Sequence, residues 1–187
     1  MAKIALRDQI RTARRRLSVA ELGSRARDLA AVVTAHPEVR RAATVAAYVS
    51  VGSEPGTGPL LDSLAALGKR VILPAVLPDL DLDWGTWRGS SALAPARLGL
   101  LEPVDRLGLD AVATADVVIV PGLAVAVDGS RLGQGGGCYD RALGRVPVGT
   151  PVACLLYDEE VGRDVPVDPH DRPVTAAATP TRWVDLR

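Results

Sequence analysis

Between Val117 and Arg141 an apolar run, Val117-Val118-Ile119-Val120, empties into a loop in which Gly133 and Gly135 to Gly137 make four glycines among five residues. No other stretch constrains the fold as much. Glycine buries no side chain and loses more backbone entropy on ordering than any other residue, so glycines at this density serve the backbone and not a core. They let amide N–H groups converge on one point, which is how an anion-binding nest is built. Arg131, Asp140 and Arg141 flank that nest with charge. A buried strand ahead of the loop and a helix opening near Tyr139 behind it make this a general phosphate site. The standard fingerprints fail, however: Cys138 stands where a dinucleotide motif wants Gly or Ala, and Gly68-Lys69-Arg70 lacks the hydroxyl of a Walker A motif.

The rest of the chain supplies the layers for such a loop. From Lys3 to Leu17 the residues Leu6, Ile10, Ala13 and Leu17 recur at helical spacing, which predicts an amphipathic helix with Arg7, Arg11, Arg14, Arg15 and Arg16 on a solvated face. Ser18-Val19-Ala20-Glu21 reads as a capping box for a second helix, which buries Leu22, Ala26, Leu29, Ala30 and Val33 and ends before Pro37. Thr44 to Ser50 reads as a buried strand, Leu60 to Leu67 as a helix closed by Gly68, and Val71 to Leu73 as a strand stopped by Pro74. Strand, helix and strand at this spacing form a βαβ unit, which implies a parallel sheet with a right-handed crossover. Alternation from Leu80 to Trp87 suits an edge strand, while Arg88 to Asp110 carries no clear element. Asp116 to Val120 and Pro151 to Leu156 read as further buried strands, the latter as the last central one, and Asp128-Gly129 is a turn. The expectation is one α/β domain over residues 1–187 with a mainly parallel sheet.

Composition narrows the function. With Lys+Arg 22 against Asp+Glu 22 the formal net charge is zero, so nothing global draws the chain to nucleic acid or to a membrane surface. Any anion must be met locally. The two cysteines, Cys138 and Cys154, make neither a disulfide framework nor a metal-ligand spacing and fit a reducing compartment. The N-terminus has charge where a signal peptide needs an apolar core, and no apolar run is long enough to span a bilayer. A cytoplasmic protein is expected. No heptad or long apolar edge calls for a partner, so a monomer is expected as well. Asp140 and Asp171 are the acids to consider for Mg²⁺, which takes one or two carboxylates and completes its shell with waters and phosphate oxygens. His170 lies beside Asp171, and no hydrolytic triad or zinc spacing can be assembled.

The segment Val120-Pro121-Gly122-Leu123-Ala124, followed by Gly129, Arg131, Leu132, Gly133, Gly135, Gly137, Tyr139, Asp140 and Arg141 at their spacings, resembles the signature of the 5-formyltetrahydrofolate cyclo-ligases. Lys3, Leu6 and Arg7 look like that family's phosphate-contacting N-terminal segment, and Ser53-Glu54-Pro55 like its folate-contacting acid. Leu98 to Pro103 and Pro166 to Asp171 are similar to two further elements. The resemblance implies ATP-dependent closure of 5-formyltetrahydrofolate to 5,10-methenyltetrahydrofolate with release of ADP and phosphate. It also implies a three-layer α/β/α domain like those of ribose-5-phosphate isomerase and coenzyme A transferases. Carried over by position, Lys3, Arg7, Arg131, Leu132 and the backbone from Gly133 through Gln134, Gly135, Gly136 and Gly137 would hold ATP. Asp140 and Asp171 would hold Mg²⁺. Val49 and Glu54 would meet the folate, Gln134 to Cys138 would lie between the substrates, and Tyr139 would pack on one of them. Arg131, Tyr139 and Asp140 would be the catalytic residues. The family's Phe-Asp is here Val125-Ala126, with Asp128 as a possible substitute, and its first tyrosine before Tyr139 is Cys138. These departures keep open a catalytically idle folate- or nucleotide-binding paralogue. A sugar-phosphate isomerase is disfavoured by the number of cations.

Overall fold

The computed structural model describes residues 2–186. In chain order the elements are α1 (Ala2–Arg14), α2 (Val19–Ala35), α3 (Pro37–Arg41), β1 (Thr44–Ala46), α4 (Gly58–Ala66), β2 (Arg70–Val76), β3 (Leu82–Thr86), β4 (Leu93–Pro95), β5 (Leu101–Pro103), β6 (Val117–Pro121), β7 (Ala124–Val125), β8 (Arg131–Leu132), α5 (Cys138–Leu143), β9 (Val152–Leu155), β10 (Ala176–Ala178) and β11 (Trp183–Asp185). Seven strands form the main sheet in the order β11-β10-β9-β6-β1-β2-β3. The five inner strands run parallel, and the edges, β3 and β11, are each antiparallel to their neighbour.

Strand side chains alternate between the two faces, and here each face has its own core. Val45, Val71, Leu73, Val117, Ile119 and Leu155 pack with Leu29, Val33, Val39 and Leu60 from α2, α3 and α4. Ala46, Ile72, Val118, Val120 and Cys154 face the other way, toward Val112 and toward Ala142 and Leu143 of α5. Helices therefore cover both faces of a mainly parallel sheet, the α/β architecture expected. Both halves of the Ser18–Glu21 capping box are present, with the serine hydroxyl accepting from the Glu21 N–H and the glutamate accepting from the Ser18 N–H.

Several local expectations are corrected. β1 ends at Ala46, and the chain to Ser50 continues without pairing as a strand. β2 does not stop at Pro74 but runs to Val76. Its pairing with β1 ends at Ile72, and the alternation set by Ala47 N–H to Ile72 C=O and Trp87 N–H to Val71 C=O points position 74 toward the side β1 has already left. A proline lacking its N–H is harmless there. β9 is not the last central strand, because β10 follows it in parallel. The stretch 88–110 folds into short 3-10 turns around the β4–β5 hairpin.

The largest correction concerns α1, which ends at Arg14 instead of Leu17. Its arginines are not uniformly solvated. Arg14 is 3% exposed and meets both carboxylate oxygens of Glu160 at 2.7 Å and the Gly122 carbonyl at 2.8 Å. Ala13, expected inside, is exposed. Leu6 and Ile10 do pack inward, on Leu123, Leu132 and Val165. The inward face thus carries Lys3, Arg7 and Arg14 together with its apolar residues, at i, i+4 and i+3 spacings that place them on one side of a helix.

Candidate active site

The parallel strands β1, β2, β6 and β9 deliver their carboxyl ends to one edge of the sheet, where open α/β sheets bind ligands. A cleft of about 1340 Å³ lies there, between that edge and α1. Every site residue named from the sequence lines it: Lys3, Arg7, Val49, Glu54, Arg131, Leu132, Gly133, Gln134, Gly135, Gly136, Gly137, Cys138, Tyr139, Asp140 and Asp171. Asp128 does not. Its carboxylate accepts from the Ser130 N–H at 2.9 Å within the β7–β8 turn, and Ala126 packs into the apolar cluster under α1. Asp128 therefore does not stand in for an acid at position 126.

At one end the glycine loop leaves β8 and enters α5. Gly135 and Gly137 have φ of +109° and +68°, a region that L side chains rarely adopt, so glycine is required at both. Arg7 donates to the Gly133 carbonyl at 2.9 Å, and Arg11 donates to the Gln134 side-chain oxygen at 2.8 Å. Arg131, buried, donates to the Pro121 carbonyl and to Asp140, both at 3.1 Å, and its guanidinium lies 5.9 Å from the centroid of the Tyr139 ring. Asp140 also accepts from the Arg172 N–H at 3.1 Å, which ties it to the residue next to Asp171. Lys3 bridges Asp168 and Asp171, at 2.6 Å each. Burial works against the Asp171 charge, but Lys3 and the Asp168 N–H outweigh it and hold the carboxyl below its usual range.

The other end is built around Glu54. Ser50 and Thr57 exchange backbone and hydroxyl hydrogen bonds at 2.9 Å, closing the loop that presents Glu54. Glu54 accepts from the Val51 N–H at 2.9 Å and from the Gln134 amide at 3.1 Å, and burial nevertheless raises its carboxyl above the usual range. Tyr48 is 3% exposed, and its hydroxyl has no hydrogen-bond partner among the described residues. Burial pushes the phenols of Tyr48 and Tyr139 well up, so both are neutral donors or acceptors at ordinary pH. Burial likewise raises the Cys138 thiol.

Sequence reasoning did not single out Arg11, Tyr48 or Asp168, all of which line the cleft. A signal for each existed. Arg11 is one turn beyond Arg7, Tyr48 precedes Val49, and Asp168 lies three residues before Asp171. Among the described residues, Asp168, His170 and Asp171 bring ligand atoms within 4.8 Å of one another, and Asp140 is not part of that group.

A cleft at the carboxyl edge of a parallel sheet, with clustered cations at one end and a half-buried carboxylate at the other, is where a ligand-binding α/β fold holds its ligands. Residues 1–180 match the 5-formyltetrahydrofolate cyclo-ligase family, and the chain belongs to it. It is 43% identical over 147 residues to the 5-formyltetrahydrofolate cyclo-ligase of Mycolicibacterium smegmatis, covering 75% of each chain. To the Escherichia coli enzyme of the same name it is 34% identical over 182 residues, covering 92% of this chain and 97% of that one. The NMR structure of the Aquifex aeolicus 5,10-methenyltetrahydrofolate synthetase superposes with a TM-score of 0.85 at 28% identity, over 100% of this chain and 94% of that one. The activity is accordingly that of a cyclo-ligase acting on a folate. No helix among the described residues is long and apolar enough to cross a membrane.

Proposed function

We propose that the cleft converts 5-formyltetrahydrofolate to 5,10-methenyltetrahydrofolate at the expense of ATP, with Mg²⁺, releasing ADP and phosphate. The observation that carries this reading is the asymmetry of the cleft, whose cation-rich glycine loop and half-buried Glu54 are bridged by Gln134. A formamide oxygen leaves poorly, and ATP supplies the phosphoryl group that makes it a leaving group. Phosphoryl transfer is catalysed mainly by positioning and by neutralising the equatorial oxygens. Lys3, Arg7 and Arg131 hold the phosphates in this reading, and N–H groups from Gly133 to Gly137 add to the cradle. Glu54 accepts the pterin N–H groups beside Val49. Tyr139 packs against a bound substrate, with the Gln134–Cys138 backbone between the two ligands.

The carboxylates suit Mg²⁺. Among the hydrogen bonds of the described residues, Asp140 uses only Oδ1 and Asp171 only Oδ2, so each keeps one hard oxygen free within the cleft. Mg²⁺ there would offset phosphate charge, while Arg131 and Lys3 orient the two carboxylates. We further propose a single domain over residues 1–187, of which 1 and 187 lie outside the described residues, acting as a cytoplasmic monomer. The free state of Cys138 and Cys154 suits that compartment.

Mixing the protein with 5-formyltetrahydrofolate and MgATP and following methenyl absorbance tests the reading. Product that forms only with both ATP and Mg²⁺ is the expected result. Binding of both ligands without product would leave the idle paralogue instead.

A further inference from the structure

Gln134 joins the two ends of the cleft through a single amide. Its Nε2 donates to Glu54 at 3.1 Å while its Oε1 accepts from Arg11 at 2.8 Å, and Arg11 also reaches the Gln134 main-chain carbonyl at 3.3 Å. Neither Arg11 nor Glu54 forms an ion pair among the described residues; the amide stands between the cation of α1 and the anion of the 51–54 loop. An amide held this way is polarised from both sides, so each of its hydrogen bonds strengthens the other. Glu54 belongs to the folate end. Arg11 lies one helical turn beyond Arg7, at the phosphate end, and lines the same cleft.

We infer that Gln134 is a positioning residue that couples the two substrate half-sites, so that binding of the folate and binding of the nucleotide favour each other. This rests on the reading that both ligands occupy this cleft. Pterin N–H groups that take the Glu54 carboxylate displace the Gln134 amide and remove the anionic end of the relay. The bond from Arg11 loses its polarisation, and the guanidinium is released toward phosphate. Phosphate that takes Arg11 first does the converse and frees Glu54. By linkage the two effects are equal in size.

The test measures the dissociation constant of 5-formyltetrahydrofolate with and without a non-hydrolysable ATP analogue and Mg²⁺, and that of the analogue with and without the folate. In the parent, each ligand is expected to tighten the other by about fivefold, the low end of typical couplings. In Gln134→Ala the factor is expected to fall to about one, because no relay joins the two half-sites. Gln134 is exposed, so the truncation leaves the core untouched. Arg11→Gln should weaken the nucleotide alone and also abolish the coupling, and adding Gln134→Ala to it should change the coupling no further. A Gln134→Ala protein that binds both ligands with the parent's coupling overturns the inference and leaves the functional reading standing. A parent that binds neither ligand overturns the functional reading, and the relay with it.

Discussion

At its carboxyl end α1 is held by Arg14, which meets Glu160 at 2.7 Å with side chains 3% and 7% exposed; near its amino end Lys3 meets Asp168 and Asp171 at 2.6 Å, with those carboxylates 52% and 16% exposed. The chemistry of the two contacts is alike, but their surroundings are not. Arg14 also donates to the Gly122 carbonyl at 2.8 Å and Glu160 also accepts from the Tyr157 N–H at 2.9 Å, so each member of the pair is held by a second partner. Lys3 and Asp171, like Arg131 and Asp140, line the cleft, where an incoming phosphate and a metal ion could separate cation from carboxylate. The exposure of the carboxylate, 7% for Glu160 against 16% for Asp171 and 18% for Asp140, distinguishes the anchor from the exchangeable pairs. One helix carries both kinds, and both ends border the cleft; Asp168 and Asp171 line it at one end, whereas Glu160 does not line it at the other.

The sharpest test separates turnover from stability. Asp140→Asn keeps an acceptor for Arg131 but removes the charge proposed to hold Mg²⁺, and should lower kcat roughly a thousandfold in a methenyl assay while urea unfolding changes little. Parent-like turnover would end the metal assignment. Arg14→Met should do the reverse, destabilising the protein by about 3–5 kcal/mol in urea denaturation because it leaves a buried carboxylate unpaired. Replacing Glu160 with Leu in the same chain should recover most of that loss, since a buried ion pair and an apolar pair of similar volume are often equivalent. Glu54→Gln should raise the folate KM roughly tenfold, the usual scale of a hydrogen bond to a charged group, with less effect on the nucleotide KM. Lys3→Met should reduce stability by about 1 kcal/mol or less and raise the nucleotide KM, placing Lys3 on the exchangeable side of the comparison.

The smallest effect concerns pH. Burial raises the Glu54 carboxyl, so the folded protein binds that proton more tightly than the unfolded chain, and this group's contribution to stability declines as pH rises through the folded value. The Asp171 carboxyl is depressed despite its burial, so its contribution is present above the unfolded value and is lost as pH falls through the folded one. Acid titration of Glu54→Gln should therefore lack the first component and keep the second. Folate affinity should drop on acidification in the parent, because a protonated Glu54 accepts fewer N–H bonds.

Much of this arrangement was legible in the chain, for local reasons. The β1–α4–β2 unit, the Ser18–Glu21 box, the turn at Asp128-Gly129 and the glycine loop each follow from spacing within a few residues. What was not legible depends on distant partners. Arg14 reads as a solvated arginine until Glu160, 146 positions away, comes alongside it. β10 is three alanines with little strand preference of their own, and it is set in the sheet by Leu155 on one side and Trp183 on the other. Pro74 breaks strands in general but not where its neighbour strand has ended. In the site, the residues themselves pointed to Asp140 and Asp171 and the resemblance to Lys3 and Glu54, whereas the bridge through the Gln134 side chain required the geometry.

Gly122 supplies the carbonyl that receives Arg14, and a Cβ at that position would lie 2.3 Å from Sγ of Cys154. The two positions therefore cannot vary independently. Alanine at 122 is obstructed while the sulfur is present, and a smaller residue at 154 leaves a hole while 122 remains glycine. Enlarging position 122 requires the sulfur at 154 to move or to be removed, which ties the sizes of the two residues together beneath the loop that follows β6.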